Sequence, residues 1–341
     1  MPKAELHLHL DGSLGIETAI ELARTRDVDA PRDPAGMRSR LVAPPRCTDQ
    51  AELLRAFDLP IALLQDAEAL GRVTAELVES KATDNVRYLE IRWGPLLHTQ
   101  RGLSLADGIA AVCDGAVAGA AAVAAAGGAV AVRLICTALR SHDPADNERL
   151  ATIAVRFRDR GLVGWDLAGP EAAFPDPLVH GRSFEIARGG GLGITLHAGE
   201  WGGAAQVRRA LDLDPSRIAH GPGAIDDPAL MAELIERDVT LDLCPTSNVQ
   251  AAIVASVAAH PLARLHRAGV PVTLSTDDLT VSDVTLSAEY ERAITQIGLT
   301  PDELWAIDRH ALEVAFADEA SLAPLRAEFD AWDGGRSGGR G

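Results

Sequence analysis

Residues 4–13 read AELHLHLDGS, and the polar positions of this run carry two imidazoles and a carboxylate: His7, His9 and Asp11. Their alternation with Leu6, Leu8 and Leu10 has the period of two expected of a β-strand, so the leucines face one side and the imidazoles the other. Two histidines projecting together from one strand make either a metal clamp or a polar face toward solvent, and the pair alone does not choose. Further along stand His197 and Glu200 in HAGE, His220 in AHGPG, and Asp277 with Asp278 in STDD. Imidazole nitrogens and an aspartate oxygen suit Zn2+, which lowers the pKa of a bound water from about 15.7 to about 7. A neighbouring carboxylic acid, its pKa raised beside an apolar ring, supplies the proton that hydrolysis of a basic leaving group requires. Each residue alone also has a plainer role. His197 or His220 can be a hydrogen-bonded core histidine, and Glu200 can be an acid at a helix N-terminus.

What decides between these roles is whether the chain brings the residues together. Apolar, β-rich runs lie at residues 3–10, 87–93, 130–138, 162–167, 193–197, 217–220, 239–244 and 270–275. Between them come segments of helical spacing, among them 16–26, 66–83, 105–126 and 147–160. Eight strand–helix units predict a parallel (β/α)8 barrel of TIM type over residues 1–330 as a single domain. Extra helices are expected after strand one and at the C-terminus. There TPDELWAIDRHALEVAFA opens with Thr300 as N-cap, Pro301 at the first helical position and Glu303 closing a capping box. The glycine-rich end, residues 331–341, is expected to be a flexible tail. Residues 30–45, rich in Pro and Arg, read as a long loop, either a lid over the barrel mouth or a disordered spacer. Phe57 in LLRAFDLP is a candidate for an apolar lid or for a helix core.

In such a barrel the chemistry sits at the C-terminal strand ends, and those ends read, in order, HLHLDG, WGP, CTALR, DLAGPE, HAGE, AHGPG, CPTSN and STDD. His7 and His9 from strand one, His197 from strand five and Asp277 from strand eight thus form one ligand set with a position left for water. Glu200, just past strand five, can face the same cavity as general acid. His220, ending strand six, can hydrogen-bond the metal's hydroxide, orienting it or taking its proton. Asp278 must point differently from its neighbour and is free for substrate. Interior strand positions otherwise are expected to carry mostly Val, Ile, Leu and Ala. The two lysines, Lys3 and Lys81, fall at the barrel bottom and on a helix, where neither can bridge two metals as a carbamate. One zinc per chain is the expectation.

The net charge of -17 argues against nucleic acid as a partner. Cys47, Cys113, Cys136 and Cys244 lie far apart without paired spacing, which fits a reducing compartment. No stretch reads as long and apolar enough to span a membrane, the Ala/Gly-rich run at 116–130 being short and small-sided. A cleaved leader would delete the motif that begins at His7, so a cytoplasmic location is expected.

HLHLDGSL, DLAG, HAGE, AHG, CPTSN and STDD, in this order, resemble the adenosine deaminase family of the amidohydrolase superfamily. The resemblance runs from about residue 3 to the helix after Asp278, and the HxE…PCxxC signature of the cytidine-deaminase type is missing. It implies zinc held by His7, His9, His197 and Asp277, with Glu200, His220 and Asp277 as the catalytic set. It further implies that zinc hydroxide attacks purine C6 while Glu200 protonates N1, His220 assists the water, and ammonia leaves. Asp278 would contact N7, Gly169 N3 and Asp11 the ribose, with His9 also against the substrate, a small purine nucleoside. Asp11 favours adenosine over adenine, whose deaminases usually carry Glu there. Departures from the family pattern at Leu279, at Pro170 and in VQAAIVAS after CPTSN leave open a modified nucleoside such as aminodeoxyfutalosine or methylthioadenosine. Another zinc hydrolase on the same barrel and a binding protein without activity are the alternatives from other classes.

Overall fold

In the computed structural model, which describes residues 1–338, eight parallel strands pair in sequence order. They are β1 (Lys3–His9), β2 (Val86–Trp93), β3 (Ala131–Leu139), β4 (Leu162–Ala168), β5 (Gly193–Ala198), β6 (Arg217–His220), β7 (Thr240–Leu243) and β8 (Val272–Leu274). Parallel neighbours require crossovers, and helices such as Ala67–Thr83, Leu105–Ala125 and Pro228–Glu236 supply them. The expected (β/α)8 barrel is therefore present, each strand within about two residues of its predicted ends. The last seam is short. β8 and β1 meet at one bridge, where the His9 N–H donates to the Asp277 carbonyl at 2.7 Å and the Asp277 N–H to the His7 carbonyl at 3.0 Å. Lower down, helix Pro301–Glu313 fills the seam, with Asp308 accepting the Ala4 N–H at 2.9 Å. That helix carries the predicted capping box of Thr300 and Glu303.

The apolar interior expected from the sequence is not what fills the barrel. Glu90 and Arg92 of β2, Asp166 of β4, Arg217 of β6 and Asp242 of β7 are all buried. Arg92 lies 3.4 Å from Asp166 and donates to the Leu6 carbonyl at 2.9 Å. Arg217 pairs with Glu90 and lies 3.2 Å from Asp242. Both faces of a barrel strand are buried, so the apolar residues that mark the strands face the outer helices. The inner positions can carry charges because each meets an opposite charge there. Phe316 plugs the base: the Arg217 guanidinium stacks 3.9 Å over its ring, and a Cβ on Gly193 would come within 2.4 Å of it.

Three other expectations change. Residues 30–45 contain a helix, Pro34–Leu41, whose N-cap Asp33 accepts the Gly36 N–H at 2.8 Å and whose Met37 and Leu41 are buried. Pro34, which reads as a breaker, sits at the first helical position, where its missing N–H costs nothing. The segment is tied to the mouth loops, the Ala43 N–H donating to Val281 at 3.0 Å and the Cys47 N–H to Gln250 at 2.7 Å. The final helix, Glu319–Gly338, takes in residues 331–338 of the expected tail, with Trp332 packed 4.5 Å from the Trp305 ring; residues 339–341 lie outside the described residues.

The third change concerns helix Leu105–Ala125, which spans 21 residues and, by length and composition alone, is long and apolar enough to cross a membrane. The apolar stretch begins at Leu105, eleven residues before the Ala/Gly-rich run at 116–130. Its small residues instead bring it close to helix Ala67–Thr83: a Cβ on Gly115 would stand 2.3 Å from the Gly71 carbonyl oxygen, and one on Gly119 2.7 Å from that of Ala75. Gly115→Ala should therefore lower the melting temperature. The intrinsic helix gain of Ala, about 1 kcal/mol, is outweighed by overpacking against backbone, about 1–3 kcal/mol. A thermal melt checks this, and a rise in Tm would contradict the close approach.

Candidate active site

Four side chains from three strand ends meet at the mouth, beside the seam. His7 Nε2 lies 3.3 Å from His9 Nε2, which lies 3.1 Å from His197 Nε2. Asp277 Oδ1 is 3.0 Å from His7 Nε2 and 3.3 Å from His9 Nε2. All four donor atoms fall within 4.8 Å of one another. Burial, and behind it the Arg92 charge, pushes the His7 imidazole well below its ordinary pKa, and burial also lowers His197. Both rings are thus neutral, with lone pairs to give. A tetrahedral metal with bonds of about 2.1 Å separates its ligands by about 3.4 Å, so this donor set fits a divalent cation such as zinc.

Neighbours orient the donors. His197 Nδ1 lies 3.1 Å from Asp166 Oδ1, which sets Nε2 as the ring's free lone pair. Burial would raise the Asp166 carboxyl, but the His197 ring and Arg92 outweigh it and hold Asp166 well below the carboxylate range. Ser247 donates to Asp277 Oδ2 at 2.6 Å. Asp277 and His220 both hold left-handed backbone, at φ 68 and 70, a conformation that L-residues adopt at some cost and that often marks functional sites.

Around the cluster stand the other expected residues. Glu200 Oε1 lies 4.0 Å from His220 Nε2, and His220 Nε2 lies 3.6 Å from Asp277 Oδ2. Burial first, then the charges of Asp277 and Glu171, push the Glu200 carboxyl well above its ordinary pKa, which favours its protonated form. Burial likewise lowers His220 to about 3. Asp278 is buried with no partner for Oδ1, and it packs against Gly12, where a Cβ would come 1.7 Å from that oxygen. Asp11 is buried too, its oxygens meeting His98 Nε2 at 2.5 Å and the Gly94 N–H at 3.2 Å. Burial works against the charge of Asp11, but the His98 contact prevails and its pKa is lowered, so the carboxylate keeps lone pairs to spare. Gly169 follows β4 directly at φ 103, which suits glycine, and its carbonyl accepts from Gln50 Nε2 at 3.4 Å. Phe57 packs with Trp201, Ile253 and Val281 in a small apolar cluster over the mouth loops.

Glu171, one residue past Pro170, has a role the sequence did not suggest. It accepts the N–H groups of Gly199, Trp201 and Gly202 at 2.9, 2.7 and 2.8 Å, wrapping the loop that carries Glu200 around one carboxylate. Glu171→Gln keeps the size but turns an NH2 toward amide donors. Losing one charge-assisted bond, about 1.5–3 kcal/mol, should speed exchange of those three amides by about tenfold or more. Unchanged exchange would show the loop to be held by other contacts.

The adenosine deaminase family model matches residues 2–332. Adenosine deaminase of Enterococcus faecalis is 36% identical over 330 residues, covering 97% of this chain and 96% of its own. The chain belongs to the adenosine deaminase family. It is accordingly a hydrolytic deaminase of a metal-dependent superfamily. Among solved structures, the Arabidopsis N6-mAMP deaminase superposes with a TM-score of 0.85 at 30% identity, over 97% of this chain and 98% of its own. An amidohydrolase from Burkholderia ambifaria with bound zinc gives 0.86 at 26%, over 97% and 91%.

Of the family departures, Leu279 packs against the main core and lines an outer cleft with Lys81, Asp84 and Val284. Pro170 opens a turn in which its carbonyl accepts the N–H groups of Ala173 and Phe174, at 3.2 and 3.0 Å. Asp166, Glu171, Ser247 and Asn248 all lie inside strand-end motifs visible in the sequence, DLAGPE and CPTSN, so position was the available signal. His98 carried none, because it enters from a short 3-10 turn, Pro95–His98, after β2.

Proposed function

We propose that the protein hydrolyses the 6-amino group of adenosine, or of a close 6-aminopurine nucleoside, giving inosine and ammonia, with one zinc held by His7, His9, His197 and Asp277. The observation that carries this reading is the Glu200 carboxyl, held well above its ordinary pKa by burial and by neighbouring charges, standing beside four metal donors, because an acid able to protonate a ring nitrogen is what amine displacement from a purine needs. Zinc, held by those four side chains, would supply a water of pKa about 7. Glu200 gives its proton to N1, drawing electron density from C6 as the water oxygen bonds there; of the water's two protons one returns to the Glu200 carboxylate and the other passes to the amine, whose bond to C6 breaks as C6=O forms and ammonia leaves. His220 orients the attacking water. Asp278, unpartnered at Oδ1, reaches N7, the backbone at Gly169 meets N3, and Asp11 takes a ribose hydroxyl. Buried polar groups set for these atoms reject analogues that leave them unpaired. Four free, buried cysteines support a cytoplasmic setting.

A modified adenine nucleoside, such as methylthioadenosine or aminodeoxyfutalosine, is the second reading. The similarity to an N6-mAMP deaminase and the departure at Pro170 favour it. Comparing kcat/KM for adenosine, adenine and these nucleosides tests both. Adenosine should lead; a modified nucleoside preferred by a hundredfold would move the assignment to the second reading.

A further inference from the structure

Below the mouth a chain of buried hydrogen bonds runs from the backbone to His220. The Leu262 N–H donates to His260 Nδ1 at 3.2 Å, His260 Nε2 lies 3.0 Å from Asn248 Oδ1, and Asn248 Nδ2 lies 3.0 Å from His220 Nδ1. His260, Asn248 and His220 are each at most 3% exposed, so water does not compete for these contacts. The backbone fixes the direction of every link. An amide N–H can only donate, so His260 Nδ1 must accept and its proton sits on Nε2. Asn248 receives that proton on its oxygen, and its NH2 is thereby turned to His220. His220 Nδ1 must then accept, leaving the ring's proton on Nε2, the nitrogen that faces Asp277 Oδ2 and Glu200 Oε1. The orientation of the amide, often ambiguous, is here settled by the Leu262 end of the chain.

We propose that His260 is a positioning residue for the reaction: acting through Asn248, it locks His220 as the Nε2–H tautomer, so that His220 donates a hydrogen bond to the attacking water rather than accepting its proton. The donor role rests on the functional reading above, whereas the tautomer stands on the hydrogen bonds alone. The reversed tautomer would aim a nitrogen lone pair at the lone pairs of that oxygen and of Asp277, which misaligns the nucleophile without altering the purine contacts. The cost then falls on kcat and not on KM.

The test combines imidazole 15N correlation spectra of zinc-loaded protein, labelled at histidine, with adenosine kinetics. In the native protein the His220 spectrum should show Nε2 protonated and Nδ1 bare. Asn248→Asp offers only acceptors, so the His220 proton should move to Nδ1, with kcat down about 10- to 100-fold and KM near its native value. His260→Phe frees the amide to flip and should give mixed tautomers and an intermediate kcat. His260→Gln keeps a donor where Nε2 was and should restore both the native spectrum and the native kcat, which a merely structural role would not predict. A His220 protonated on Nδ1 in the native protein, or H260F with an unchanged tautomer, would overturn the relay. An altered tautomer with unchanged kcat would overturn the donor role. Native protein inert toward every 6-aminopurine would overturn the functional reading and the donor role with it, a result that the tautomer spectra separate from failure of the relay.

Discussion

Glu200→Gln is expected to lower turnover by about 10²- to 10⁴-fold while the protein still binds one metal, because it deletes the transferable proton and leaves the four donors untouched. The same substitution should not weaken the fold at neutral pH. The carboxyl of Glu200 is raised above its ordinary value by burial and by the charges of Asp277 and Glu171. A group whose folded pKa is raised gives stability that is complete below its unfolded pKa and is lost as pH climbs through the folded value. Glutamine does not titrate, so E200Q should lose less stability than the native protein as pH rises above the ordinary carboxylate range, even as it loses activity. By the same logic native turnover should fall on the alkaline side, where Glu200 gives up its proton. Metal content, thermal melts across pH and kcat together check this. Native-like turnover in E200Q would remove Glu200 from the chemistry.

Removing the metal is the second large effect. A chelator should abolish turnover in the native protein, and zinc should restore it; in His197→Ala, zinc should restore little. The loss should also reach the fold, since Asp277 forms the bridge that closes the barrel onto β1 and His7 and His9 flank its partner Leu8. An ion that binds the folded state alone adds about 2.7 kcal/mol when present at a hundred times its Kd. Neutral imidazoles are needed for binding, and burial holds His7 and His197 below the ordinary histidine pKa. Proton competition should therefore begin at lower pH than for free imidazole. Activity and melting temperature after dialysis against chelator measure both parts; unchanged activity would contradict a metal role.

Strands and strand-end motifs were legible because period-two runs such as 3–10 and the capping box at Thr300 are local signals. Meeting of His7, His197 and Asp277 was legible only through the barrel, whose topology turns eight distant strand ends into one rim. What stayed hidden depends on three-dimensional partners. Arg92 and Arg217 inside the barrel look like solvent-facing charges until Asp166, Glu90 and Asp242 are seen opposite them. Glu171 resembles any loop acid until three amides converge on it. The helix Pro34–Leu41 was hidden by its proline and arginines, which dilute the apolar pattern to two buried positions, Met37 and Leu41.

The central claim, a single metal and the acid Glu200 acting together on a 6-aminopurine, is tested most directly by ultraviolet absorbance of the zinc-loaded protein mixed with adenosine. Rapid conversion to inosine, absent in E200Q of equal zinc content, is the result expected. No conversion of adenosine or of any 6-aminopurine nucleoside, with zinc bound at one per chain, would contradict it.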